Sequence, residues 1–183
     1  LHHNQMLKPF PFSKSLYAAL VLALSPLSLY AQENSGASQM GFSNLQTQAN
    51  LLVEQGKLVE AMPLLKELIS RVENAADTGA ETIKIDFPIF LVGTGYIQLY
   101  IQSSDKAQLN ECLQWYDKLE KDFPRSPKVK DACMKKIDVL RALGRHADAT
   151  ELMIKILSGG YKFHMSYKER IKILKDLVTT FYS

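Results

Sequence analysis

Two stretches of this chain, GKLVEAMPLLKELI (residues 56–69) and GRHADATELMIKIL (residues 144–157), superpose position for position. Glycine meets glycine, Leu58 meets His146, Glu60 meets Asp148, Ala61 meets Ala149, Leu65 meets Met153 and Leu68 meets Ile156. A third stretch, AQLNECLQWYDKLE (residues 107–120), puts Leu109, Cys112, Tyr116 and Leu119 in the same slots. Each slot has a physical reason. Glycine permits a tight turn between antiparallel helices. The small residue lets two helix backbones approach, and the large ones fill the gap beyond. A helix pair of this kind cannot bury its apolar face alone, so pairs must stack.

The rest of the chain agrees with helices joined by short turns. Leu45, Ala49 and Leu52 share one face, and Leu58, Ala61, Leu65, Leu68 and Ile69 share another. The segment 73–86, ENAADTGAETIKID, breaks the pattern, and helical spacing resumes with Tyr96, Leu99 and Tyr100, Gly93 and Gly95 weakening the start of that helix. The run through Leu109, Cys112, Tyr116 and Leu119 stops at DFPRSP, where Pro124 and Pro127 forbid a continuous helix. Ile137 and Leu140 lead to Gly144; Ala149, Met153 and Ile156 lead to SGG; a last run, Tyr167, Ile171, Leu174 and Val178, ends the chain. No stretch alternates with period two for long enough to make a strand.

The slot pattern resembles the tetratricopeptide repeat family, whose 34-residue unit carries this small-large arrangement in its second helix. Counting back from Gly56 and Gly144, the family's first-helix slots fall on Ala49 and Leu52 and on Ile137 and Leu140, and a fourth set falls on Tyr167, Ile171 and Leu174. The resemblance covers residues 42–183. It implies an all-α, right-handed solenoid of antiparallel helix hairpins, about seven helices in roughly three repeats plus a terminal capping helix. The units are unevenly spaced, Ala61 to Cys112 being 51 residues and Cys112 to Ala149 only 37, with the excess in residues 73–86. FPRSPKVKDA is also similar to linkers in bacterial envelope repeat proteins, the TolA-binding division coordinators and the barrel-assembly lipoproteins; the lipid-bearing cysteine of the latter is missing.

Residues 1–31 read as a secretory signal: Lys8 and Lys14 precede LYAALVLAL, then Pro26 and a short segment ending at Ala31. Met6 is its natural start, which makes residues 1–5 upstream sequence or the product of an alternative initiation. The apolar run of 16 residues is broken by Pro26, whereas a spanning helix needs about 20. Cleavage after Ala31 predicts a periplasmic or secreted product with no stable membrane insertion, beginning with a flexible leader over 32–41. Beyond residue 31 there are 20 basic and 19 acidic side chains, a balance that excludes nucleic-acid binding by gross charge. Residues 32–86 carry 4 basic and 8 acidic groups and residues 87–183 carry 16 and 11, an asymmetry of the kind solvated helix faces produce. Cys112 takes a small-residue slot and Cys133 sits on the next helix, offset by about 7 Å along the hairpin in addition to a lateral gap of roughly 8–10 Å. That exceeds the ~7 Å Cα separation a disulfide tolerates, so two separate buried thiols are expected.

His146, Asp148 and Glu151 stand close together in sequence and raise the question of catalysis or metal binding. The repeat answers it: His146 takes the bulky slot of Leu58 and Leu109, and the three lack the shared-face spacing of a helical metal site. His164 is a lone loop histidine. No catalytic triad, phosphate-cradling loop or paired-cysteine motif is present, so neither catalytic residues nor a cofactor is expected. The family resemblance implies a non-enzymatic protein-protein adaptor of the cell envelope, gripping a peptide or helix in a concave groove formed by first helices. It maps that groove onto Gln46, Asn50 and Glu54, onto Thr94, Ile97 and Ile101, and onto Asp131, Met134, Asp138 and Arg141. The rival expectation is structural: an oligomerising spacer, or the terminal piece of a longer repeat array.

Overall fold

A computed structural model describes residues 36–75 and 84–181. The expected signal, residues 1–31, and most of the irregular segment lie outside the described residues. Residues 36–39, inside the stretch read as a flexible leader, form a turn of helix belonging to a separate unit that ends at Gln39.

From Met40 onward the described chain is all helical, and no strand occurs among the described residues. In order come α1 (Phe42–Glu54), α2 (Leu58–Ala75), α3 (Asp86–Ser103), α4 (Ala107–Asp122), α5 (Lys128–Ala142), α6 (His146–Leu157) and α7 (Tyr167–Phe181). Each packs on the next along the chain, α3 also touches α5, and α2 is joined to α3 across the irregular segment.

The glycine turns are built alike. Gly56, Gly144 and Gly159 have φ of 73°, 77° and 82°, the left-handed conformation that suits a residue without Cβ. Gly56 N–H donates to Val53 O at 3.0 Å and Lys57 N–H to Leu52 O at 2.9 Å. Gly144 and Arg145 repeat the pair onto Arg141 and Leu140, as do Gly159 and Gly160 onto Ile156 and Lys155. This crossed pair is the Schellman closure, which satisfies orphan carbonyls at a helix end. Between α4 and α5 the two prolines act as the sequence predicts: α4 ends at Asp122 and α5 starts just after Pro127.

The small slots Ala61, Cys112 and Ala149 are fully buried, as are Tyr116, Leu119 and Met153. Two expectations are corrected. First, α3 does not resume near Tyr96; it begins at Asp86 and runs straight through Gly93 and Gly95. Close approach outweighs helix propensity here. A Cβ on Gly93 would lie 2.5 Å from Tyr116 Cε1, and one on Gly95 would lie 2.7 Å from Met62 Cγ. The two glycines let α3 press on α4 with one side and on α2 with the other.

Second, α7 is turned the other way. The side chains expected to pack, Tyr167, Leu174 and Val178, are exposed, while Ile173 is fully buried and Glu169, Asp176 and Leu177 are half-buried. Two residues of offset correspond to roughly 200° of helix rotation, nearly the opposite face. The rotation is set by polar contacts. Glu169 pairs with Lys130 of α5 at 2.9 Å. Arg141 of α5 donates to the Asp176 carbonyl at 2.9 Å and to Thr180 Oγ1 at 3.1 Å. At the start of α7, Ser166 and Glu169 form a capping box: Glu169 N–H donates to Ser166 Oγ at 3.3 Å and Ser166 N–H to Glu169 Oε2 at 2.7 Å.

Candidate functional site

The residues expected to line a groove fall into three stripes. Gln46, Asn50 and Glu54 are exposed along α1 at a spacing of four, which places them one above another on the same face. On α3, Ile97 is half-buried and Ile101 is exposed. Thr94 is turned to the interior instead, bonded to the Phe90 carbonyl and, at 3.0 Å, to the Tyr116 hydroxyl. On α5, Asp131 and Met134 are half-buried and Asp138 is exposed. Asp131 lies 3.8 Å from Lys128, one turn back on the same helix. Arg141 is engaged with α7, as described above. α3 and α5 touch, with Lys128 Nζ lying 5.0 and 5.5 Å from the Phe87 and Phe90 ring centroids.

The trio at the start of α6 does not converge on a common point. Among the described residues no group of three His, Cys, Asp or Glu side chains is arranged to hold a metal ion. Asp148 pairs with Arg145 at 2.6 Å. His146 is exposed, unlike its counterparts Leu58 and Leu109, which are buried. It borders an open cleft of about 490 Å³ that Ala147, Ile154 and Thr180 also line.

Sequence reasoning missed the most organised polar cluster, where α4, α5 and the loop after α6 meet. Lys136 Nζ bridges Asp117 at 2.5 Å and Glu120 at 2.7 Å. The Tyr161 hydroxyl donates to the other oxygen of Glu120 at 2.8 Å, and the Cys133 thiol points at Glu120 from 3.7 Å. Lys155 Nζ sits 4.7 Å from the Tyr161 ring centroid, and that ring stacks on Phe163 at 5.2 Å. Lys136 and Glu120 are only 12 % and 17 % exposed, so each needs its partner. Two clefts of about 370 and 600 Å³ share Asp117, Glu120, Lys155 and Tyr161 as lining. The available clue was Lys136 itself, a charged residue on the flank of the helix face that Cys133, Ile137 and Leu140 bury.

Burial works against the charge of Lys136, but its hydrogen bonds to Asp117 and Glu120 prevail and hold its pKa above the usual value. Burial, with the adjacent Glu120 carboxylate, pushes the Cys133 thiol up to about 12. Burial also raises Tyr161, helped by Cys133 and Glu120. Cys112 on α4 is likewise pushed up to about 12 by burial. Both cysteines are free and buried. Ammonium, phenol and thiols are thus all kept protonated at neutral pH, which suits a brace tying the loop after α6 to α4 and α5. Among the described residues no helix is long and apolar enough to cross a membrane.

No protein-family model matches this chain, and no curated protein or solved structure matches it.

Proposed function

We propose that this chain is a non-enzymatic protein-interaction scaffold of the cell envelope, a solenoid of tetratricopeptide-like hairpins that holds a peptide or helix of a partner against its first helices. The observation carrying this reading is the repeated hairpin: the same crossed closure at Gly56 and Gly144, each followed by a helix whose small slot, Ala61 or Ala149, is fully buried. Modules that repeat their turn and their close-approach residue stack into extended arrays, and such arrays present long surfaces for partners. Contact between α3 and α5, skipping one helix, agrees with such stacking. On this reading the groove is lined by Gln46, Asn50 and Glu54, by Ile97 and Ile101, and by Asp131, Met134 and Asp138. Arg141 has the separate task of holding α7.

The test is site-specific photocrosslinking in the native envelope. A photoreactive residue at Ile101 or Met134 should trap a common partner, whereas one at the exposed Gln114 of α4 should not. Equal adducts from all three positions, or none from the first two, would defeat the assignment.

A further inference from the structure

The rotation of α7 leaves an apolar stripe facing outward. Tyr167, Leu174 and Val178 are 80 %, 44 % and 55 % exposed, and Ile171, on the same stripe, is half-buried. At about 100° per residue these four lie within roughly 60° of one another. Arg170 lies on one flank; Lys168 and Lys175 lie on the other, with Lys172 beyond them, and all four cations are exposed. The two acids of α7 are on the inner side, where Glu169 meets Lys130 and Asp176 meets Arg141. The outer face of α7 is therefore an apolar ridge with positive charge on both flanks and no acid of its own helix.

We propose that this face of α7 seats the protein on an anionic lipid surface, the helix lying in the plane of the interface. Apolar side chains between flanking lysines and arginines, whose stems reach sideways while their charges stay wet, are what interfacial binding requires. The uniform sign decides the occupant. A second copy of the same face would oppose cation to cation. A partner helix packs along a single line of contact, and an acidic one is the alternative that the peptide arm of the titration below tests. An extended negative plane satisfies both flanks at once. No residue of this face is among those assigned to the groove of the preceding section, so substitutions can test either assignment without touching the other.

The experiment uses the full chain carrying an environment-sensitive fluorophore at Tyr167→Cys, the native thiols being buried. It is titrated with vesicles of phosphatidylcholine alone, with vesicles containing phosphatidylglycerol, and with an acidic amphipathic peptide. The probe should shift to the blue on the phosphatidylglycerol vesicles only, with a response that weakens as salt rises. Replacing Lys168, Arg170 and Lys175 by Gln should move the titration midpoint on the order of 100-fold, about fivefold for each cation near an anionic surface. Leu174→Asp with Val178→Asp should abolish the shift while leaving the melting temperature near that of the parent, because both positions are exposed. Any of three outcomes would overturn the proposal. Sedimentation with vesicles while the probe stays in water would mean that another segment binds. An equal response to neutral lipid would remove the role of charge. A response to the peptide alone would make the face a protein site.

Discussion

Gly93→Ala is the sharpest test of how α3 is packed. At an open site in a helix interior the change stabilises by about 0.8–1.0 kcal/mol. At position 93 the new methyl would meet Tyr116 Cε1 at 2.5 Å and Cδ1 at 2.8 Å, well inside the ~3.5–4.0 Å at which carbons pack. The ring has no easy escape. Tyr116 is fully buried, stacks on Phe90 at 5.8 Å and shares a 3.0 Å hydrogen bond with Thr94. Overpacking costs about 1–3 kcal/mol; a contact this deep against a ring held on two sides falls in the upper half, about 2–3 kcal/mol, and the propensity gain offsets about one of these, leaving a net loss of about 1–2 kcal/mol. For a chain of this size that lowers the melting temperature by roughly 2–8 °C. Thermal and urea melts followed by circular dichroism should be run on the parent, Gly93→Ala, Tyr116→Leu and the double variant. With the ring gone, the alanine should become neutral or stabilising, a coupling of at least about 1 kcal/mol. A Gly93→Ala protein as stable as the parent, or one equally damaged in both backgrounds, would refute the close-approach argument.

Ala149→Leu should cost on the order of 1–3 kcal/mol by overpacking a fully buried slot, whereas Asp148→Leu gives up only an exposed pair with Arg145, worth about 0–1 kcal/mol; equal urea midpoints for the two variants would void the hairpin register. Lys136→Met should cost about 1.5–3 kcal/mol because it strips the charged donor from the largely buried Glu120, while Asp117→Asn, at the exposed end of the same bridge, should cost under about 1 kcal/mol; the reverse order in chemical melts would dissolve the brace. Hydrogen bonds from Lys130 first, then from Ser166, hold the Glu169 carboxyl at about 2, below its ordinary 4.5. A depressed carboxyl contributes stability that is complete above its unfolded value and disappears as pH falls through the folded one. The melting-temperature gap between the parent and Glu169→Gln should therefore be constant above about pH 5.5 and close between pH 4.5 and 2; a gap that ignores pH over that range would show that the pairing with Lys130 does not form in solution.

Where one residue type suffices to fix a local geometry, the sequence was readable. Gly56 and Gly144 mark left-handed closures, Ala61, Cys112 and Ala149 mark buried small slots, and the two prolines mark the α4–α5 turn. Readability ended where tertiary contacts overrule local preference. Gly93 and Gly95 argue against a helix by propensity, yet α3 keeps them because Tyr116 and Met62 occupy the space a Cβ would need. On α7 apolar residues occur on two sides, Ile173 and Leu177 as well as Tyr167, Leu174 and Val178, so periodicity alone cannot select the inner one. The choice is made by Lys130 and Arg141, more than thirty residues away in sequence. A legible local clue was passed over: the capping box SYKE starts the helix at Tyr167, and pairing of its glutamate with α5 turns Tyr167 outward. Most of the brace was beyond reach, since it depends on Tyr161 coming back to Glu120 across 41 positions.

The two glycines of α3 also bear on how the molecule comes apart. A stack of hairpins ordinarily loosens one pair at a time, because each unit touches only its neighbours. A helix seated against backbone-close partners on both sides cannot release one without disturbing the other, which joins α2, α3 and α4 into a single cooperative block. The terminal helix α7, held through half-exposed polar staples and one deeply buried isoleucine, has no such coupling. Amide hydrogen exchange should divide the chain accordingly, with uniform slow exchange across the central three helices and an earlier, separate opening of α7.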